Sequence, residues 1–306
     1  SRGDVGDRAA AERIERHQRE VLLERRDITS STLNGLVPPR YLLDQAAILA
    51  RGMRPLADLA PQYTLPPDGM TMYVTRVVTG TLTAVQTSQN TAVQEQDMTT
   101  TDVSIPVVSI SGVQDVSRQA LERGAVTDQL IMNDLVADYA TQLDTQLISG
   151  TGANGQHTGF LSTGAVTASY TGTTVAAFYS KFVGMLSGVA SGRYAPATLA
   201  IMSPRRWHWL LAQSDSTGRP LVVPNPAASF NPIGTGASDV AAIAGTIAGI
   251  PVLVDANVSL VQGASTNEDR VIVTRLPDAA LWEGDLMTFR FEQFITPPTT
   301  IRLAVL

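Results

Sequence analysis

Hydrophobic and polar positions along this chain fall into three textures. In the first, Ile131, Leu135, Tyr139, Leu143 and Leu147 recur every four residues, with Val136 and Ala140 beside them. That spacing lays an apolar stripe along one face and predicts a long amphipathic helix over about Thr127 to Ser149. Thr127 is placed to cap it, and Asp128 falls in the first turn, where the helix dipole favours an acid. In the second texture, Met70, Met72 and Val74 alternate with Thr71, Tyr73 and Thr75 after a Pro66-Pro67-Asp68-Gly69 turn, which predicts a strand. Val103, Ile105 and Val107 resume the alternation. The residues between, 80–101, are rich in Thr and Gln and poor in large apolar groups. Two strands joined this way form a protruding hairpin with little core of its own, and an isolated hairpin is marginally stable in water. Support from outside the subunit is therefore expected, which points to an oligomer.

The third texture, over the second half, alternates helices and strands. A helix is expected at Val175 to Val189 and a buried strand at Thr198 to Met202. Ser203 then caps a helix with Pro204 at its favoured first position, ending near Ser214-Asp215-Ser216-Thr217-Gly218. Strands follow at Ile250 to Val254, Val271 to Thr274, Thr288 to Ile295 and Thr300 to Leu306, the last two separated by Pro297-Pro298. No internal repeat is present. The sequence stops inside a strand pattern.

The N-terminal stretch Arg2 to Asp27 balances arginines against an equal number of acids, and Ile14, Val21 and Leu22 give it only a thin apolar stripe. It reads either as an exposed helix held by pairs such as Glu12–Arg16 and Glu15–Arg19, or as a solvated tail. A Ser/Thr/Asn-rich loop from Thr29 to Asn34, an extended kink at Pro38-Pro39 and a short amphipathic segment from Leu42 to Leu59 come next.

Composition narrows the class. With 306 residues, 44% of them hydrophobic and 16% charged, the chain is a globular protein. Its most apolar stretch, Ala241 to Val254, contains Pro251 and is shorter than the roughly 20 residues that span a bilayer. No secretory signal pattern opens it. The absence of cysteine excludes disulfides and thiolate metal sites. A net charge of −6 disfavours tight binding to nucleic-acid phosphates. Lys181 is the only lysine, so any chemistry that needs an amine side chain must use it.

Candidate chemistry is thin. Gly150, Gly152 and Gly155 spell a dinucleotide-type glycine pattern, but that site needs a strand before the glycines and a helix after them. Here a helix runs into them, so they read as its stop signal. His17, His157 and His208 lie on separate elements, without metal-ligand spacing. Gly188-Val189-Ala190-Ser191-Gly192 comes nearest to a nucleophile elbow but has alanine at the centre. Arg205-Arg206-Trp207-His208-Trp209 mixes basic and aromatic residues as a nucleic-acid surface does, yet it opens a helix, where cations oppose the dipole. The alternative is that its tryptophans pack and its arginines pair with acids. No catalytic, cofactor-binding or metal residue is assigned.

Several segments, in order, resemble the major capsid protein of tailed bacteriophages with the Hong Kong 97-type fold. Val113-Gln114-Asp115-Val116-Ser117-Arg118-Gln119-Ala120-Leu121 resembles the segment before that family's long spine helix. Asp144-Thr145-Gln146-Leu147-Ile148-Ser149-Gly150-Thr151-Gly152 resembles the end of the helix. Thr158-Gly159-Phe160-Leu161 follows, with Phe160 departing from the family's usual Gly-Leu. Met202-Ser203-Pro204-Arg205-Arg206-Trp207, Asp215-Ser216-Thr217-Gly218-Arg219-Pro220-Leu221 and Gly249-Ile250-Pro251-Val252 resemble its later signatures. Together these cover about Val37 to Leu306.

The resemblance implies an α+β Hong Kong 97-type capsid fold. Its parts would be an N-terminal arm (1–60), an extended E-loop hairpin (61–105), a peripheral domain with the spine helix (106–155 plus about 284–298) and an axial α/β domain (156–283 plus about 299–306). It implies a non-enzymatic subunit that self-assembles, in the host bacterial cytoplasm, into hexamers and pentamers of an icosahedral head around double-stranded DNA. Portal, scaffold or protease, and a cement or decoration protein are the partners it suggests; no membrane and no cofactor are expected. Ser1 in the first place suggests either processing or a trimmed chain. Some family members join an E-loop lysine to a neighbour's asparagine. Residues 61–105 contain no lysine, which implies a shell without such cross-links. The acidic balance further suggests a weakly anionic lining that lets DNA pack without sticking. An encapsulin-type nanocompartment shell and, more remotely, a nucleotide-binding α/β enzyme are the rival readings.

Overall fold

The structure, a computed structural model, describes residues 3–24, 49–124, 127–164, 167–170, 172, 174–214, 243–262, 267–292 and 300–306. The loop at 29–34, the Pro38-Pro39 kink, the Asp215–Leu221 signature and the Pro297-Pro298 break lie outside them. The chain divides into two units, 1–47 and 48–306. In the first, α1 (Gly3–Glu24) is the exposed helix expected from its charge density. The reason differs from expectation: Glu12–Arg16 and Glu15–Arg19 do not pair, and Arg13 Nε instead donates to Ala9 O at 3.1 Å. Long side chains on an exposed helix gain little by holding one ion-pair geometry, so these two pairs are not what holds the turns.

In the second unit, a five-residue helix α2 (Pro55–Leu59) leads into β1 (Gln62–Thr64). The expected hairpin follows as β2 (Thr71–Thr79) and β3 (Thr99–Pro106), antiparallel from Thr71↔Pro106 to Thr79↔Thr99 with a bulge after Val77. Next come β4 (Gly112–Ser117), which the sequence pattern does not single out, and α3 (Arg118–Arg123), capped by the Ser117 hydroxyl. The long helix α4 spans Thr127–Ser149, with Thr127 as its first residue rather than its cap. Then α5 (Val175–Arg193) runs four residues past the predicted Val189 and is stopped by Tyr194 in the left-handed region at φ +52°. The remaining elements are β5 (Leu199–Met202), α6 (Pro204–Leu211), β6 (Ile243–Ile247), β7 (Ile250–Val254), β8 (Ile272–Thr274), β9 (Leu281–Glu283), β10 (Thr288–Phe291) and β11 (Thr300–Val305).

A four-stranded sheet in the order β6-β7-β5-β8 forms the centre of the core. Because successive strand residues face opposite ways, Ala200, Met202 and Val252 meet Phe178 and Phe182 of α5 and Trp207 and Leu210 of α6 on one face. Leu199, Ile201 and Leu253 face the other way, onto Leu56 of α2, Ile148 of α4 and Val258. Both faces of β5 are therefore covered, which is why Leu-Ala-Ile-Met reads as a continuous apolar run. A second sheet, β10-β11-β4, lays Ile301, Leu303 and Val305 toward α4, and Gly112 sits close under Leu135. Finally β1 pairs in parallel with β9, Gln62↔Leu281 to Thr64↔Glu283.

Replacing Phe182, fully buried between α5 and the central sheet, leaves a void its neighbours cannot fill. Phe182→Ala is expected to cost roughly 3–5 kcal/mol in urea denaturation of the full chain.

Candidate functional site

Three features carry polar or exposed apolar groups beyond what a core needs: the hairpin, the outer face of the β10-β11-β4 sheet, and the flank of α4. In the hairpin, side chains on both sides of the strands stay open to solvent. Tyr73, Val74, Val77, Val78 and Val103 are all exposed, and so are Leu82, Val85, Val93 and Met98 in the polar stretch between the strands. Single exposed apolar groups are ordinary; a run of them on an element without a core marks a surface that meets a partner.

The three-stranded sheet presents a comparable surface. Cross-strand register places Phe289, Ala304 and Val113 in one row and Phe291, Arg302 and Asp115 in the next. Phe289 and Phe291 stack with centroids 5.8 Å apart, and Arg302 grips Asp115 with two bonds of 2.7 and 2.8 Å. That grip holds the Asp115 carboxyl below its usual range. Met287 and Leu306 extend the same side, and with Val113 and Phe291 they are exposed.

Along α4 the apolar stripe is less buried than its periodicity implies. Leu143 and Ile148 are buried, whereas Ile131, Leu135, Tyr139 and Leu147 are only partly covered. A polar stripe, missed by the sequence reading, fixes the helix instead. Asp134, Asp138, Thr141 and Asp144 repeat at helical spacing, and the segment 51–57 is strapped along them. Arg51 donates to both oxygens of Asp134 at 2.7 and 2.8 Å and to Asp138 at 2.5 Å. This bond to Arg51 lowers the Asp134 pKa. The Thr141 hydroxyl meets Gly52 O. Arg54 reaches Glu283 at 2.6 Å, and Tyr139 donates to the same carboxylate at 2.8 Å. Burial, followed by that bond, pushes the Tyr139 hydroxyl up to about 12.

At the end of the stripe Asp144 is wholly buried. Its Oδ1 accepts from Ala57 N at 2.9 Å and its Oδ2 from Asn257 Nδ2 at 3.0 Å. Ala57 lies in the first turn of α2, whose N–H groups have no partner within the helix, so a carboxylate there satisfies one and complements the dipole. Asn257 Nδ2 also donates to Met53 O at 2.8 Å. Beside Asp144 lies Asp255, 1% exposed, with Oδ1 accepting from Asn257 N at 2.8 Å and Oδ2 without a hydrogen-bond partner. Burial, reinforced by Asp144, raises Asp255 to about 8.

The residues weighed for chemistry are scattered. The glycine run closes α4: Gly150 N donates to Gln146 O, and Asn154 and Gly155, both at positive φ, form a two-residue turn between Thr151 and Thr158. A Cβ on Gly150 would collide with His157 O, and one on Gly159 would stand 2.6 Å from Gly150 N. These glycines permit close backbone approach at a helix C-terminus, where carbonyls rather than N–H groups point outward, so the end has the wrong polarity for a phosphate. His157 is half-buried and its pKa is lowered by burial, His208 Nδ1 lies 2.7 Å from Pro204 O, and His17 is exposed on α1. Among the described residues no three His, Asp or Glu side chains converge as a metal site. In the Arg-Arg-Trp-His-Trp segment Trp207 is buried, Arg206 donates to the buried Asp269 at 2.5 Å and lies 5.1 Å over Trp209, and Ser203 both caps α6 and donates to Asp269. Burial opposes the ionised form of Asp269, but the bonds from Arg206 and Ser203 outweigh it and keep the pKa low. The packing-and-pairing alternative describes this segment. Lys181 is exposed on α5.

The chain belongs to the phage capsid family, whose model matches residues 39–302. It is similar in fold to the capsid of a native GTA particle (TM-score 0.69, 14% identity, 92% of this chain and 93% of that one). A chain of Mycobacterium phage Bobi (TM-score 0.62, 14% identity, 91% and 90%) and one of Gordonia phage Cozz (0.59, 14%, 91% and 88%) share it too. No curated protein matches the sequence. The protein is thus a structural major capsid protein of α+β fold, and the encapsulin reading is not favoured.

Gly150→Ala is expected to destabilise the fold by about 1–3 kcal/mol, because the collision involves backbone atoms that cannot yield as a side-chain tip can. Thermal unfolding of the variant beside the parent chain measures this.

Proposed function

We propose that copies of this chain group into hexamers and pentamers that close into an icosahedral head around packaged double-stranded DNA, and that contacts between copies are non-covalent. The observation that carries the reading is the β2–β3 hairpin, nine residues paired with eight and exposed on both faces. A ribbon of this kind gains its stability by lying across another copy. The four-part division into arm (1–60), E-loop (61–105), peripheral domain (106–155 and about 284–298) and axial domain (156–283 and about 299–306) belongs to this proposal. So do assembly in the host cytoplasm, a purely structural rather than enzymatic role, and portal, scaffold or protease, and cement proteins as partners. Lys181 stands on α5, well away in sequence from the hairpin, which supports a shell without lysine cross-links.

Electron microscopy of the purified chain is expected to show closed shells, and discrete monomers at high concentration would overturn the reading. Val77→Asp with Val78→Asp should abolish shells while leaving the melting temperature of the free subunit unchanged within about 1 °C, since both side chains are exposed. Particles boiled in denaturant should release chains of a single length; a ladder of covalent multimers would contradict the non-covalent contacts.

A further inference from the structure

We propose that Asp144 and Asp255 share one buried proton, carried on Asp255 Oδ2, and that this proton latches α4 to the 51–57 strap and to the end of β7, loosening as it is lost in alkali. The hydrogen bonds assign the two carboxyl groups different roles. Asp144 accepts one N–H donor on each oxygen, from Ala57 and Asn257, and is arranged as an ionised acceptor. Asp255 accepts from Asn257 N on Oδ1, and its buried Oδ2 meets no donor among the described residues. Two ionised carboxylates side by side, each out of water, repel strongly in a low-dielectric interior. A proton on Asp255 Oδ2 converts the orphan acceptor into a donor to Asp144 and removes one of the two charges.

Among the described residues nothing else nearby takes the place of that proton. The strap's cations are engaged elsewhere: Arg51 with Asp134 and Asp138, and Arg54 with Asp58 and Glu283. On α4, Tyr139 is turned to Glu283 of β9. Among the described residues, Asp144 is the charged group acting on Asp255, opposed by the Asn257 backbone N–H. The strap is also tied to α4 by Arg51 and by the Thr141 hydroxyl, whereas Asp255 and Asn257 bring in the end of β7. Asp255 N is held by Met202 O at 3.0 Å at the end of β5, and Asn257 reaches Met53 on the strap.

An acid whose folded-state pKa is raised keeps its proton in the native state after the unfolded chain has lost it. The latch therefore contributes fully below about pH 4, and its contribution declines as pH rises to about 8, above which no further loss occurs. Asp255→Asn makes the donor permanent: the amide nitrogen can face Asp144 while the amide oxygen accepts from Asn257 N. Asp144→Asn instead sets an amide nitrogen against Ala57 N or Asn257 Nδ2, donor against donor.

The test is thermal unfolding of the full parent chain, D255N and D144N from pH 4 to pH 9, with infrared difference spectra of the parent. D255N is expected to match the parent near pH 4 and to exceed its melting temperature by on the order of several degrees at pH 8–9. D144N should be less stable than the parent throughout. The parent should show the carbonyl stretch of a protonated carboxyl at neutral pH, fading toward pH 9. A D255N offset that does not vary with pH, D255N below the parent at pH 8, or D144N behaving like D255N would each overturn the proposal. Should D255N fail to fold, the spectra of the parent decide alone: no protonated carboxyl at pH 7 means no shared proton.

Discussion

Asp144 cannot be removed from water without partners, and the partners it takes determine where three parts of the body meet. Its oxygens hold the first turn of α2 and the Asn257 side chain that follows β7. A five-residue helix has no independent stability, so α2 exists because this carboxylate fixes its start while Leu56 and Ala57 are buried beneath it. Leu56 in turn covers the central-sheet face that Ile148 of α4 shares. Polar satisfaction and apolar burial thus act at the same point: the charge sets the register, and the side chains around it supply most of the stabilisation.

The Arg51 and Arg54 contacts extend the same logic outward. They are partly exposed and individually contribute little, yet they fix the strap at several points along the helix, so that it cannot slide by a turn. The helix is therefore bounded by the β10-β11-β4 sheet and by a polar seam, while its C-terminus is closed by glycines that let Gly150 and Gly159 touch backbone to backbone. A body built this way has its own core and can hold the hairpin without depending on it.

What the sequence made legible follows from periodicity. The long helix, the hairpin and the apolar runs at 199–202 and 250–254 have strong periods or bounded apolar blocks, and they form where the pattern places them. The resemblance to capsid proteins was readable as well, because it rested on the order of several short segments. The polar stripe on α4 was not. Asp134, Asp138 and Asp144 look like the solvated face of any amphipathic helix, and only the distant Arg51, Ala57 and Asn257 reveal otherwise. Strands β4, β6 and β9 were missed because they are short or Gly-containing and are specified by their partners in the sheet. The expected Glu–Arg pairs on α1 illustrate the opposite error, in which spacing permits a contact that exposure does not reward.

The order β10-β11-β4 places residues 300–305 in the middle of their sheet, hydrogen-bonded to β4 on one edge and β10 on the other. As a nascent chain leaves the ribosome, β4 emerges long before the strand that must lie beside it. The Phe289, Val113 and Arg302 surface consequently cannot exist on a partly synthesised chain. That surface forms only once residues 300–305 are free to insert between β4 and β10.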